Sequence, residues 1–303
     1  MKTKLTAGLL GLIMTLCGDL WAQGVDPEID ALFKQVKKMK HENADESSVK
    51  RLLAAILERD PKNPRASWQL LFYRFPSLRG GAAELLDSAE DLAELGEPVT
   101  AISAEARRRG ENDFAHFVVA RYALAYRNFE RAFAELEAAV RLKPDSVMYR
   151  YYQGKFLAEK GVWEKDDTTL LAGLAKLEES LADSLEHPSS EAFLAPDDYY
   201  FEMAWLNNDL QIPRPEKTIE YYQAAIRYTQ NNDQQIAYAW HNMGNTYRNM
   251  QRCVEARDAA QKALAIMRFR AAEDSLQHSE FCIEMQEMEQ HRTELTTVTK
   301  RHP

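Results

Sequence analysis

The chain has 303 residues, formal net charge -9, 45% apolar and 10% aromatic residues. That composition supports a sizeable core and excludes global disorder. The acidic balance excludes wrapping nucleic acid, which needs a basic stripe.

The first element is a targeting segment. Lys2 and Lys4 precede an uncharged apolar run, LTAGLLGLIMTLC, and Leu20-Trp21-Ala22 offers a cleavage site after Ala22. This reads as a signal peptide over residues 1–22. The apolar run is about 13 residues, short of the ~20 that span a bilayer. An exported protein, periplasmic or secreted, is therefore expected, with no membrane insertion after signal removal. The rival is an envelope lipoprotein in an outer-membrane assembly or secretion complex, with lipid on Cys17. A lipidated Cys needs a small residue before it, and Leu16 is not small.

Residues 23–112 read as degenerate helical pairs. VKRLLAAILERDPKNPRASW, 49–68, is an Ala/Leu-rich helix that ends in charged residues and Asp-Pro and restarts at Asn63-Pro64. Proline at these points stops one helix and opens the next. Arg79-Gly80-Gly81 reads as a turn. FERAFAELEAAVRLKPDS, 129–146, repeats the device: Ala132, Leu136 and Ala139 recur at helical spacing, and Pro144 follows. Ala120 and Gly154 are 34 residues apart and occupy equivalent small-residue positions. In the unit from 147, Gly173, Leu177 and Ser180 fall on the second helix, and EKDD, 164–167, is expected to lengthen the turn. MAWLNND and EKTIEYYQAAIRY form a third pair joined by a Pro-containing loop. The fourth opens on WHNMGNTYRNM, 240–250, where Trp240, Met243, Gly244 and Tyr247 precede Ala256, Ala260 and Ala263. From about Ala271 a long polar helix is expected as a cap. No sustained period-two alternation argues for strands.

Trp240, Met243, Gly244 and Tyr247 follow W-x2-L-G-x2-Y with Met for Leu, and the units are about 34 residues long. This resembles the tetratricopeptide repeat. The resemblance implies an all-α fold, an α-solenoid of stacked antiparallel helix pairs in a right-handed superhelix. The units are 113–187 and 188–268, with a capping helix and tail over 269–303. It also implies a non-catalytic scaffold that binds a protein or peptide partner through its concave groove. In this family the first helix of each pair lines that groove. The residues so placed are Phe114, Phe117, Arg121 and Leu124; Met148, Tyr151, Lys155 and Glu159; and Tyr238, His241, Asn245, Arg248 and Asn249. Some grooves of the family clamp a carboxylate with Lys and Asn. Here Asn245 resembles one such Asn, but His241 replaces a Lys and Leu276 stands where a basic or amide partner is needed, so that ligand class is not expected. A homo-oligomer that uses the groove on itself is a further possibility.

The remaining chemistry is sparse. No H-E-x-x-H pair, P-loop or G-x-S-x-G elbow is present, so neither enzyme, cofactor nor metal is expected. Glu284, Glu287 and His291 share a helix face and read as solvated. After signal removal Cys253 and Cys282 remain. A turn centred near 267–268 places them at equal distances along antiparallel helices, within reach of a disulfide; two buried free thiols are the rival.

Overall fold

The computed structural model describes residues 26–41, 45–75, 89–186, 196–229 and 232–301. The signal-peptide segment, Cys17 and Arg79-Gly80-Gly81 lie outside them. Thirteen helices occupy the described residues, with no strand among them: α1 Pro27–His41, α2 Glu46–Arg59, α3 Pro64–Arg74, α4 Ala89–Arg108, α5 Asn112–Ala125, α6 Phe129–Leu142, α7 Val147–Glu164, α8 Asp167–Glu186, α9 Pro196–Asn208, α10 Pro215–Tyr228, α11 Asp233–Asn249, α12 Cys253–Ile266 and α13 Arg270–Arg301.

The chain divides into two compact units, residues 1–70 and 71–303, with the division inside α3. In the first unit α1 packs on α2. Val49, Leu53 and Ile56, at helical spacing, bury one face of α2. Asp45 caps its N-terminus by accepting from the Ser48 backbone N–H. Asn63 does the same for α3 through Ala66.

In the second unit consecutive helices pair as α5/α6, α7/α8, α9/α10 and α11/α12, and each pair also packs on the next helix. The α7/α8 pair shows the antiparallel register directly. Gly161 meets Leu170, Gly173 meets Ala158 and Gly154 meets Leu177. Side-chain caps start three of the helices: Asn128 accepts from Arg131, Ser146 from Tyr149 and Asn232 from Gln235.

The tight turn within a pair is built the same way three times. Arg127, Lys165 and Gln251, with φ of 58°, 56° and 60°, each occupy the left-handed region between the two helices of their pair. That region disfavours side chains with a Cβ, so each turn carries a small strain. Lys165 is exposed. Lys165→Gly should therefore raise stability, by up to about 1 kcal/mol, as a higher midpoint in urea unfolding.

EKDD does not lengthen the turn, contrary to expectation. Only Lys165 and Asp166 lie between α7 and α8, and the extra residues are absorbed as longer helices of 18 and 20 residues. No breaker intervenes, and close packing along both helices holds the additional turns in place. The fourth turn does differ. Residues 209–214 form a longer loop, with the backbone N–H groups of Gln211 and Ile212 donating to the Asp167 carboxylate at 2.7 and 3.0 Å.

Candidate binding groove

The early and late sets of groove residues have different environments. Phe114, Phe117, Arg121 and Leu124 are all 5% exposed or less. α5 is buried almost all round, as a helix with neighbours on several sides must be. Phe117 packs against Tyr149 and Tyr152, with ring centroids 5.5 and 4.9 Å away, and the Arg121 guanidinium lies 4.8 Å from the Tyr152 ring centroid. Tyr151, Lys155 and Glu159 are buried as well. Tyr151 meets Tyr199 edge-on at 4.9 Å. Lys155 Nζ donates to Glu202 at 2.7 Å and stands 3.7 Å from Glu159. Within this early set only Met148 is half-exposed. These residues are thus interior packing and not open contact surface: aromatic side chains from the following pairs fill the space in front of them.

The interior charges shape one another. Burial pushes the Lys155 ammonium down, and the negative charges of Glu202 and Glu159 more than offset that, so it stays protonated. Burial raises Glu159, with Lys155 and Arg121 offsetting only part of the shift.

The late set is accessible. Tyr238 and Asn249 are exposed, and His241, Asn245 and Arg248 are half-buried. Met243 is buried, Gly244 approaches Ala256 and Ala259 of α12, and Lys262 lies 4.2 Å from the Trp240 ring centroid. Of the packing set, Met243 and Gly244 are buried, whereas Trp240 and Tyr247 are half-buried like His241, Asn245 and Arg248.

His241, Asn245 and Ser275 form a closed ring of hydrogen bonds between α11 and α13. Asn245 Nδ2 donates to His241 Nε2 (3.2 Å), Ser275 Oγ donates to Asn245 Oδ1 (3.0 Å), and His241 Nδ1 donates to Ser275 Oγ (3.3 Å). Every bond is satisfied by the neutral Nδ1–H tautomer. Burial, and secondarily the Arg248 charge, lowers the His241 pKa below its ordinary value. A depressed histidine stabilises the fold above its unfolded pKa near 6.5, and that contribution is lost as pH falls through the folded pKa. Acidification from neutral pH to about 5 should therefore lower the melting temperature. His241→Gln should flatten that part of the profile.

Beside this ring lies a cavity of ≈430 Å³ between the α9–loop–α10 segment and α11. Five amides line it: Asn207 and Asn208 from α9, and Asn242, Asn245 and Asn249 from α11. Trp205, Tyr222 and Met250 add apolar surface, with Thr218, Thr246 and Arg214 completing the polar part. Asn207 Nδ2 donates to the Arg214 carbonyl and to Thr218, whereas its buried Oδ1 accepts no hydrogen bond within the protein. Among the described residues of the wall, Arg214 alone carries a formal charge, so the cavity suits neutral hydrogen-bonding groups with an apolar flank. Asn245 and Asn249 were legible in the sequence as groove residues. Trp205, Asn207, Asn208 and Asn242 were not, although MAWLNND carried the signal as an amide pair on the first helix of a pair.

Cys253 opens α12 and Cys282 lies on α13, with Cα atoms 5.8 Å apart, inside the range a disulfide requires. Among the described residues no three His, Cys, Asp or Glu side chains are grouped to hold a metal ion. No helix among them is long and apolar enough to cross a membrane.

No protein-family model and no curated protein matches the chain. Among solved structures, it aligns with the crystal structure of yeast Tom70, a tetratricopeptide-containing protein, at a TM-score of 0.55 and 11% identity, over 84% of this chain and 47% of that one. The fold is tetratricopeptide-like. A second alignment, to the APC/C hetero-tetramer Cut9–Hcn1, has a TM-score of 0.44 at 18% identity, over 79% of this chain and 45% of that one. The chain spans about half the length of either structure, and at such identities the likeness establishes the fold alone. In a tetratricopeptide-like frame, α5, α7, α9 and α11 are the first helices of their pairs, and the cavity is lined by two of them, α9 and α11, together with the 209–214 loop and α10.

Proposed function

We propose that this chain is an exported, non-catalytic scaffold that holds a protein or peptide partner in the groove between α9 and α11. The observation that carries this reading is the cavity between α9, α10 and α11, with five amides in its wall, one of them the exposed Asn249. Neutral amides and an apolar flank match an extended peptide, whose backbone presents alternating donors and acceptors. A titratable pair poised for acid–base work does not line this cavity, which favours binding over catalysis. Trp205→Ala with Asn249→Ala should abolish capture of the partner held by the intact protein. The matched substitution Glu137→Ala, exposed on α6, should leave capture unchanged.

Export rests on the Lys2/Lys4, apolar-run and Ala22 pattern. Fractionation of cells producing the full chain tests it: the processed protein should appear outside the cytoplasm, beginning at residue 23. In an oxidising compartment Cys253 and Cys282 are held as a disulfide. The two are 29 residues apart in sequence, so reduction should cost about 3 kcal/mol of stability in the chain-entropy picture. Melts with and without reductant check this, and two alkylatable thiols in the unreduced exported protein would contradict it.

A further inference from the structure

The long final helix carries two adjoining tracks that the body of the protein does not use. Phe281, Met285 and Met288 are 61%, 47% and 56% exposed, and their spacing, i, i+4 and i+7, places them on one stripe. Glu280, Glu284 and Glu287 repeat that spacing one residue out of step. A carboxylate ridge therefore runs about 100° around the axis from the apolar stripe. All three Glu are exposed, and among the described residues none of them makes an ion pair or a side-chain hydrogen bond. The helix is held to the rest of the unit on another side. Cys282 faces Cys253, and Gln286 Nε2 donates to the Gln251 carbonyl at 2.8 Å. Every residue from Glu284 to Thr293 is exposed.

The charges decide what fits there. Carboxylates three and four apart on a helix repel one another, at a cost of about 0.2–0.5 kcal/mol per pair. The other described acids of α13 are neutralised: Glu273 by Arg268 at 2.9 Å, Asp274 by Arg270 at 3.9 Å and Glu289 by Arg292 at 3.4 Å. Among them only the ridge is left without a cation, and it runs beside the stripe. No Lys or Arg occurs from 271 to 291. A second copy fits in neither sense. Antiparallel, a twofold across the stripe sets ridge beside ridge; parallel, it sets each ridge against the flank that carries His278 and Glu289. Anionic lipid headgroups are repelled for the same reason. What matches is a helix with an apolar stripe beside a track of Lys or Arg. Glu280 also lines a recess of ≈500 Å³ with Leu264 and Leu276. The methylenes of a long basic side chain can lie there with the charge on Glu280.

We propose that the α13 surface binds a basic amphipathic helix of a partner protein. Its apolar side chains lie on Phe281, Met285 and Met288, and its Lys or Arg side chains meet Glu280, Glu284 and Glu287. This does not rest on the groove reading, since α9 and α11 take no part. Methionine, unbranched and polarizable, suits a surface that adapts to the apolar face of a helix.

The test uses the intact protein and a fluorescein-labelled synthetic peptide of about 20 residues, in which a Leu stripe adjoins a Lys track at helical spacing. Fluorescence anisotropy reads binding over a range of salt. Saturable binding that weakens with salt is expected. A peptide of the same composition in scrambled order should bind about tenfold more weakly. Met285→Gln with Met288→Gln, and separately Glu284→Gln with Glu287→Gln, should each weaken binding about tenfold with an unchanged circular dichroism spectrum. Glu130→Gln with Glu137→Gln, both exposed on α6, removes as much charge and should leave binding unchanged. Equal binding of the ordered and scrambled peptides, or equal losses at α6 and α13, reduces the effect to net negative charge and overturns the proposal. Absence of binding overturns it too. Binding lost on Trp205→Ala with Asn249→Ala but kept in both α13 variants overturns the α13 surface and leaves the groove reading standing. Self-association of the intact protein that Met285→Gln with Met288→Gln abolishes assigns the stripe to a second copy and overturns the proposal. Binding to phosphatidylcholine vesicles that the same variant abolishes assigns it to lipid and overturns it likewise.

Discussion

Lys155→Met should cost about 3–5 kcal/mol of folding stability. The Lys155 ammonium is buried, 2.7 Å from Glu202 and 3.7 Å from Glu159. Taking it away leaves two carboxyl groups in a poorly solvated interior, with Arg121 the nearby positive charge and its guanidinium lying over Tyr152. The cost arises from the uncompensated charge that stays behind, more than from the missing attraction of the ion pair. A second variant separates the two. Lys155→Met combined with Glu202→Gln removes one charge of each sign and leaves Glu159 with Arg121, and it should recover most of the lost stability. Urea unfolding of the single and double variants measures both, and the non-additivity between them is the expected coupling. A single variant that loses less than about 1 kcal/mol would show that the site is wet and the pair exposed in solution.

The second large effect lies between α7 and α8. A Cβ added to Gly173 would sit 2.7 Å from both Cα and Cβ of Ala158. At Gly161 it would sit 2.7 Å from Leu170 Cα. Backbone cannot rotate out of the way as a side chain can, so the helices must part and the packing along both is weakened together. Gly173→Val should lose about 3 kcal/mol or more, the upper end for overpacking. Gly244 provides the contrast. There a Cβ meets Ala256 O at 3.2 Å and Ala259 Cβ at 3.4 Å, a tight fit with no overlap. The better helix propensity of alanine, about 1 kcal/mol, then works against a small steric cost. Gly244→Ala should change stability by less than about 1 kcal/mol. Equal losses at Gly173 and Gly244 would contradict the antiparallel register of α7 against α8.

The glycines also mark how far the sequence could be read. WHNMGNTYRNM carries the clearest repeat signature, yet Gly244 makes the looser approach. The tightest approach falls in the 147–186 pair, whose pattern is interrupted by EKDD. Residue type fixes which face is small, while the separation of two helices depends on everything packed along them. Helix boundaries were legible where proline chemistry is local: Pro144 follows the end of α6, while the Asn128 and Ser146 caps that start α6 and α7 came only from the structure. EKDD misled because an insertion without a breaker can extend a helix as easily as a turn.

The groove was half legible for a related reason. Periodicity states which face Phe117, Arg121, Tyr151 and Lys155 occupy. It does not state that Tyr149, Tyr152, Tyr199 and Glu202 from later helices cover that face. Lys155 and Glu159, on one helix, are legible as an i, i+4 pair, but the partnership with Glu202 spans 47 residues. In the late half Asn245 and Asn249 are not covered in the same way. Their companions Asn207 and Asn208 belong to a pair whose frame is offset by the 187–195 segment and the 209–214 loop, so spacing alone could not align them with α11.

The scaffold reading is tested by partner capture from the cell envelope, comparing the intact chain, Trp205→Ala with Asn249→Ala, and Glu137→Ala, all matched for helical content and melting temperature. The intact chain and Glu137→Ala should retain the same partner, and the cavity variant should lose it. Capture of the same partner, to the same extent, by all three proteins would contradict a role for the α9–α11 groove.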